Sequence, residues 1–204
     1  MATNSKLTLL SKEKKSANLK VMSDDSIKWL KERIDEIKRA DKIARNISKE
    51  TDRFKLRPMI GMLYCFYYDA KWKAELPYWD AFPVVIVLER YDDGFLGLNL
   101  HYLPLKYRIA FMKKLMQFAT LTKSDEISRM RITYDIVAST KKFAEFKPCV
   151  KRYLNSQLRS RLLKVHPHEW DTAMMLPLQQ FRKAKAETIW KDSVKEYKDQ
   201  LKQF

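Results

Sequence analysis

Five carboxylates lie in or beside the part of the chain that has strand character: Asp69, Asp80, Glu89, Asp92 and Asp93. Carboxylate oxygens can hold a divalent metal ion, so such a group is compatible with a metal-dependent nuclease. The spacing argues against this chemistry. Asp92 and Asp93 fit a turn, and Glu89 is followed by Arg90 and Tyr91 with no lysine two places on. A nuclease therefore remains only an alternative.

Histidine and cysteine give no further catalytic or metal pattern. A proline separates His166 from His168, and no third ligand is suitably spaced, so we interpret this segment as a loop. His101 stands alone in a predicted strand, which favours a structural role. Cys65 and Cys149 lie far apart, with neither zinc spacing nor a disulfide framework, which fits a reducing compartment.

The sequence also lacks the phosphate-binding and nucleophile motifs of common enzymes. It has no Gly-rich phosphate loop, no Walker sequence and no nucleophile elbow. We therefore expect a non-enzymatic protein with no cofactor and no metal.

Charge is the strongest signal for a function. The 204 residues carry 41 Lys and Arg against 25 Asp and Glu, a net charge of +16. Such a surface attracts polyanions, and nucleic acid is the leading partner. An anionic membrane, an acidic protein and a merely solvated basic surface are the alternatives.

Half of this net charge lies in residues 127–166, where ten Lys or Arg accompany two acids. A helix that begins near Pro148 would turn apolar residues inward and a one-signed basic face outward, which a polyanion would neutralise. The predicted nucleic-acid-binding residues are Lys141, Lys142, Lys147, Lys151, Arg152, Arg159, Arg161 and Lys164, together with Lys12, Lys14 and Lys15 of the N-terminal arm.

Strand character is confined to residues 61–107, which contain all three glycines of the chain. Met62–Tyr68, Pro83–Arg90 and Gly94–Leu103 read as strands, and Asp93-Gly94 predicts a hairpin because glycine tolerates positive φ. We predict an α+β fold: a small antiparallel sheet or partial barrel of about three strands (residues 61–103), surrounded by mostly basic amphipathic helices.

An aromatic loop, residues 69–82, connects the first strand to the hairpin. Its aromatic side chains could cap the open end of the sheet, stack on unpaired bases or dock a protein partner. The predicted docking residues are Trp72, Tyr78, Trp79 and Phe82.

The predicted domain organisation has three parts. Residues 1–22 form a basic arm, residues 23–50 an amphipathic helix, and residues 51–204 a single α+β domain with C-terminal helices. The last helix, from about residue 184, could pack on the core or form an oligomer contact. The N-terminus lacks an apolar segment of signal-peptide length, and Phe82–Leu88 is too short to span a bilayer, so we expect no membrane association.

Three patches of sequence carry a family resemblance: Tyr68–Lys71 with Leu76–Pro83, then Gly94–Leu103, and finally Trp170, Ala173, Leu176–Leu178, Phe181, Ile189–Trp190 and Ser193. They resemble virion-associated proteins of tailed phages with T-even-like contractile tails, which are labelled DNA end protectors or structural proteins. The resemblance covers residues 57–197. It implies a late virion or packaging role, with synthesis in the host cytoplasm and other virion proteins as partners, and it carries over no catalytic residues.

Together, charge and resemblance predict a non-enzymatic phage protein that binds double-stranded DNA, at or near an end, through phosphate contacts and without marked sequence specificity. The alternative is a structural adaptor of the neck, tail or baseplate that contacts protein only.

Overall fold

A computed structural model of the chain describes Glu32 and residues 53–109, 144–166 and 169–201. Its centre is a six-stranded antiparallel sheet. In chain order the strands are β1 (Phe54–Lys55), β2 (Leu63–Cys65), β4 (Val84–Tyr91), β5 (Gly94–Asn99), β6 (Val150–Leu154) and β7 (Leu162–Val165), and their order in the sheet is β1-β7-β2-β4-β5-β6. A second sheet pairs β3 (Trp79–Asp80) with β8 (Phe181–Arg182).

Helical segments lie between and after these strands. Three are 3-10 helices: Leu100–Tyr102, Ala144–Cys149 and Asn155–Gln157. Two are α-helices, α1 (Trp170–Met175) and α2 (Ala186–Leu201), and residues 105–109 are also helical. No helix in the described ranges has the length and apolar character needed to cross a membrane.

The hairpin of β4 and β5 confirms the prediction from Asp93-Gly94. The reason for glycine at position 94 is different from the one expected. Gly94 faces Tyr91 in the pairing register, and its φ is not positive. What the position requires is room, because a Cβ atom on Gly94 would lie 2.0 Å from the carbonyl oxygen of Tyr153 on β6. Glycine thus lets the edge strand approach the hairpin closely.

The predicted fold class is wrong in the extent of the sheet and in its surroundings. The sheet has six strands rather than three and extends well beyond residues 61–103. In the described part of the chain the one long helix is α2, so no shell of basic helices surrounds the strands.

The largest error is the helix predicted over residues 147–164. This segment forms the end of a 3-10 helix, β6, another 3-10 helix and most of β7. In β6, Tyr153 packs in the core opposite Phe95, and Arg152 points to the other face. The apolar residues of this segment have a helical spacing of three and four, but long-range pairing with β5 determines the conformation.

Aromatic side chains fill the core where the sheet meets the 3-10 helices. The Tyr153 ring stacks on Phe95 at 5.4 Å between centroids and meets Phe66 and Tyr68 edge-on at 5.3 and 5.0 Å. The Tyr68 hydroxyl accepts a hydrogen bond from the Leu154 backbone N–H at 3.3 Å. This cluster packs the segment after β2 against β5 and β6.

Other predicted elements lie wholly or partly outside the described residues. These are the arm 1–22 and the helix 23–50, of which the structure describes only Glu32, which is helical and exposed. The division into domains stays a prediction. The last helix, predicted from about residue 184, is confirmed as α2.

Candidate nucleic-acid interface

A buried carboxylate fixes the C-terminal end of the aromatic loop. Asp80 Oδ1 accepts hydrogen bonds from the backbone N–H groups of Phe82 (3.1 Å) and Gln180 (3.0 Å). Asp80 Oδ2 lies 3.1 Å from the Asn99 Nδ2 donor and 2.7 Å from His101 Nδ1. One side chain therefore ties β3 to the end of β5 and to the segment before β8.

The protonation states follow from these contacts. Burial opposes ionisation of Asp80, but His101, Asn99 and the backbone donors hold the pKa of its carboxyl below the ordinary value. Burial lowers the pKa of His101, so its imidazole is neutral and donates from Nδ1 to the carboxylate. His101 Nε2 is buried and has no hydrogen-bond partner in the described part of the chain. Asp80 and His101 therefore form a buried pair that stabilises the fold. A structural role is what the sequence predicted for His101.

A buried arginine is bonded to the backbone beside this network. Arg108 donates to the carbonyl oxygens of Leu103 (2.9 Å), His101 (3.0 Å) and Met174 (3.4 Å). Burial lowers the pKa of Arg108 to about 10, which still leaves it protonated at neutral pH. Its charge offsets that of Asp80, and it is held in the core rather than offered to a ligand.

At the other end of the aromatic loop lies an exposed turn, residues 71–76, which we call the Trp72 turn. The Trp72 carbonyl accepts hydrogen bonds from the backbone N–H groups of Glu75 (3.0 Å) and Leu76 (2.9 Å). Lys183 Nζ donates to the carbonyls of Ala74 and Leu76, each at 2.9 Å. Lys183 has a φ of 67°, the left-handed region, so its backbone is held in an uncommon conformation beside this clamp. The turn is fixed although its side chains are exposed.

Cations surround the Trp72 turn. Lys71 Nζ lies 5.1 Å from the centroid of the Trp72 ring. Asp69 Oδ2 pairs with Lys73 Nζ at 2.9 Å and with Arg159 at 3.4 Å. The hydrogen bond from Lys73 lowers the pKa of Asp69, so this carboxylate stays ionised and is shared by two cations.

Arg159 reaches this surface from the connection between β6 and β7. Its backbone N–H donates to the Tyr67 carbonyl at 2.8 Å, and Tyr67 N–H donates to Ser160 Oγ at 2.8 Å. Arg161 follows two residues later, is exposed and has no ion-pair partner in the described ranges. The local backbone is therefore anchored where the two arginines project.

The remaining predicted DNA contacts do not share one face. Lys151 is half-buried with Nζ 4.4 Å from the Tyr102 ring centroid, and burial lowers its pKa. Arg152 pairs with Asp93 and stacks on Tyr91, on the opposite side of β6. The predicted single basic helix face therefore does not exist.

Two further predicted DNA contacts lie on different secondary-structure elements. Lys147 is exposed on the 3-10 helix Ala144–Cys149, and Lys164 is half-buried on β7 opposite Tyr64. The predicted contacts outside the described residues are Lys12, Lys14, Lys15, Lys141 and Lys142.

The predicted docking aromatics divide between surface and core. Trp72 is 57% exposed, whereas Phe82 is 0% exposed and packs on Tyr67 at 4.8 Å between ring centroids. Tyr78 and Trp79 are half-buried, and Trp79 lies on β3. The four therefore do not form one exposed surface, and Trp72 is the member that a partner can reach.

Sequence reasoning missed Lys71, Lys73 and Lys183. The first two could have been found from the sequence, because they flank a tryptophan in Lys71-Trp72-Lys73. Lys183 gives none, because its role depends on a contact with a loop more than a hundred residues earlier. As for metal binding, the described ranges contain no group of three or more His, Cys, Asp or Glu side chains placed to hold an ion.

Comparison with known proteins identifies the family. Residues 4–194 match the family model described as Phage T4 terminal DNA protecting protein. No curated protein and no solved structure matches the chain. The match covers nearly the whole sequence and confirms the resemblance to end-protecting proteins of T-even phages. The chain belongs to the family of the phage T4 terminal DNA protecting protein.

Proposed function

We propose that this phage protein binds the ends of double-stranded DNA through phosphate contacts, without marked sequence specificity and without enzymatic activity, and so shields the ends from exonucleases. The observation that carries the proposal is the anchored basic surface formed by Lys71, Lys73 and Arg159, with the exposed Arg161 two residues farther along the chain. Family membership supports the DNA end as the target.

The ion pairs of this surface are weak enough for DNA phosphates to replace them. Lys73 and Arg159 are about half exposed and share the single carboxylate of Asp69. Exposed pairs of this kind contribute only about 0–1 kcal/mol, so phosphate oxygens can replace Asp69 at little cost. Two hydrogen bonds hold the Arg159 segment in place during the exchange: Arg159 N–H donates to the Tyr67 carbonyl, and Tyr67 N–H donates to Ser160 Oγ.

Salt dependence of duplex binding tests this proposal. The logarithm of the binding constant should fall linearly with the logarithm of salt concentration, with a slope of about −0.9 per phosphate contact. Arg159→Ala should make the slope shallower by about 0.9, and the effect should be the same for unrelated DNA sequences.

Lys106→Ala is the matched control, since Lys106 is exposed and lies 5.0 Å from the Tyr107 ring but outside the proposed surface. Absence of duplex binding at low salt would refute the proposed function. Equal slopes for wild type and Arg159→Ala would remove Arg159 from the interface. Exonuclease digestion of linear DNA, with and without the protein, measures the protection itself.

The basic arm and the lysine pair at 141–142 extend this proposal. Deletion of residues 1–22 removes five lysines and one glutamate, so it should also reduce the salt slope. A deletion that leaves the slope unchanged would confine binding to residues 23–204.

A second candidate function, a contact with another virion protein, is favoured by an apolar surface after β1. Leu56 is 79% exposed, and Met59 and Ile60 are exposed beside it. Exposed apolar side chains that lie together are typical of protein interfaces. Leu56→Glu should then abolish incorporation into particles while DNA binding persists. Nuclease treatment of disrupted particles would release a DNA-bound protein but leave an adaptor attached.

Lack of enzymatic activity is tested directly. DNA incubated with the protein and magnesium should keep its length. Cleavage that disappears in Glu89→Gln would contradict the proposal.

A further inference from the structure

We propose that Trp72 stacks on the terminal base pair of a DNA duplex and thereby makes the protein selective for ends over internal DNA. This inference rests on the proposed function and assigns the end-recognising residue. A duplex end differs from internal duplex in its terminal 5′ and 3′ groups and in exposing the flat face of a base pair, and an aromatic side chain can stack on that face.

Trp72 has the chemistry and the exposure to read that face. It is 57% exposed, and Lys71 Nζ lies over its ring at 5.1 Å from the centroid. Because Lys71 lies over one face and the residue is 57% exposed, we expect the opposite face of the ring to be open for stacking. Aromatic side chains stack on bases of any identity, because every base has a π face.

The charges around Trp72 favour DNA. The cations at this turn are Lys71, Lys73, Arg159 and Lys183, and they outnumber its two acids, Asp69 and Glu75. Asp69 is also paired with both Lys73 and Arg159. When the ring lies against the terminal base pair, we expect these cations to contact the last phosphates of the strands. The tryptophan would thus provide the contact specific to an end, and the cations the contact common to all DNA.

Rigidity of the backbone makes stacking favourable. Two hydrogen bonds to the Trp72 carbonyl close the turn, and Lys183 holds the carbonyls of Ala74 and Leu76. The turn is therefore ordered before DNA binds, and binding does not incur the entropy cost of ordering it.

A second exposed aromatic residue shows why position matters. Tyr91 is 43% exposed and also has a cation over its ring, Arg152 at 3.9 Å. However, Asp92 and Asp93 follow it, and Asp93 pairs with Arg152. These carboxylates would repel the DNA backbone. Tyr91 is therefore the matched control: an exposed ring with a stacked cation in the wrong electrostatic surroundings.

The test compares two DNA molecules of equal sequence and length. One is a blunt-ended duplex, and the other is the same duplex closed at both ends by hairpin loops, which cover the terminal base pairs. The full-length protein should bind the blunt duplex about tenfold more tightly than the closed one. Trp72→Ala should bind both equally, at the affinity of the closed duplex. Trp72→Phe should keep part of the preference, and Tyr91→Ala should keep all of it.

Stacking itself is detected with 2-aminopurine in the DNA. Its fluorescence should change on binding when it occupies the terminal position but not an internal one, and this change should vanish in Trp72→Ala. If wild type binds neither DNA, the proposed function and this inference both fail. If wild type binds both equally, or if Trp72→Ala weakens both by the same factor, DNA binding stands and the end-stacking inference is overturned.

Discussion

Removal of the Asp80 carboxylate should destabilise the protein severely. Its two oxygens accept hydrogen bonds from Phe82 N–H, Gln180 N–H, Asn99 and His101 at 2.7 to 3.1 Å, and all but the half-buried Gln180 lie in the core. Asp80→Ala leaves these four donors without an acceptor and removes the carboxylate charge that favours the protonated form of Arg108. Loss of one partner of a buried charged network costs about 3–5 kcal/mol, and each abandoned donor about 1–3 kcal/mol, not additively.

We therefore expect Asp80→Ala to lower the free energy of unfolding by about 3–5 kcal/mol, out of a total of about 5–15 kcal/mol for a typical domain. Asp80→Asn should cost less. Its amide oxygen can still accept from Phe82 and Gln180, but its NH₂ group would face the Asn99 and His101 donors. Urea titration followed by circular dichroism measures both values, with the slope of the transition as a check on two-state behaviour.

Asp92→Ala is the control, because this exposed hairpin carboxylate should change stability by less than about 0.5 kcal/mol. A loss below about 1 kcal/mol for Asp80→Ala would refute the argument that Asp80 organises the end of the aromatic loop. Normal stability combined with a loss of DNA cleavage would instead return Asp80 to a catalytic role.

Three further predictions follow from burial and close packing. Because burial lowers the pKa of His101, this histidine becomes protonated at a higher pH in the unfolded chain than in the folded protein. The free energy of unfolding should therefore fall as pH drops below about 6.5, by at most about 1.4 kcal/mol per pH unit. His101→Gln should lack this component, and identical pH profiles for the variant and wild type would contradict the prediction. Burial raises the pKa of Cys65 and Cys149, the latter to about 12, so neither thiol should react with a thiol reagent at pH 8 until the protein unfolds; rapid labelling of the native protein would argue against this core. Gly94→Ala should cost more than about 2 kcal/mol in a denaturation experiment, since its Cβ would overlap the Tyr153 carbonyl, and a variant as stable as wild type would show that β6 can move aside.

The sequence predicted what depends on neighbouring residues. Alternation in Gly94–Asn99, the β-branched run of β4 and the turn residues between them act over a few positions, so they identified the hairpin correctly. Helix α2 was predicted for the same reason, from its own apolar stripe.

What the sequence could not predict depends on distant residues. Lys151 looks like a surface residue, yet pairing with Gly97 places it over the Tyr102 ring. The Asp80 network likewise joins residues up to a hundred positions apart. Within the aromatic loop, Trp72, Tyr78, Trp79 and Phe82 were all predicted to dock a partner, and nothing local distinguished the exposed Trp72 from Phe82, which lies in the core.

The order of the strands in the sheet has a consequence for synthesis of the chain. β6 and β7 are close in sequence, yet β5, β4 and β2 lie between them, and β7 forms the only bridge from β2 to β1 among the described strands. The β4–β5 hairpin can form early, on the ribosome, but β2 keeps one open edge until residues 162–165 emerge and insert beside it. Such late, non-local pairing makes folding slow, so a nascent chain that stalls before β7 would present an aggregation-prone edge.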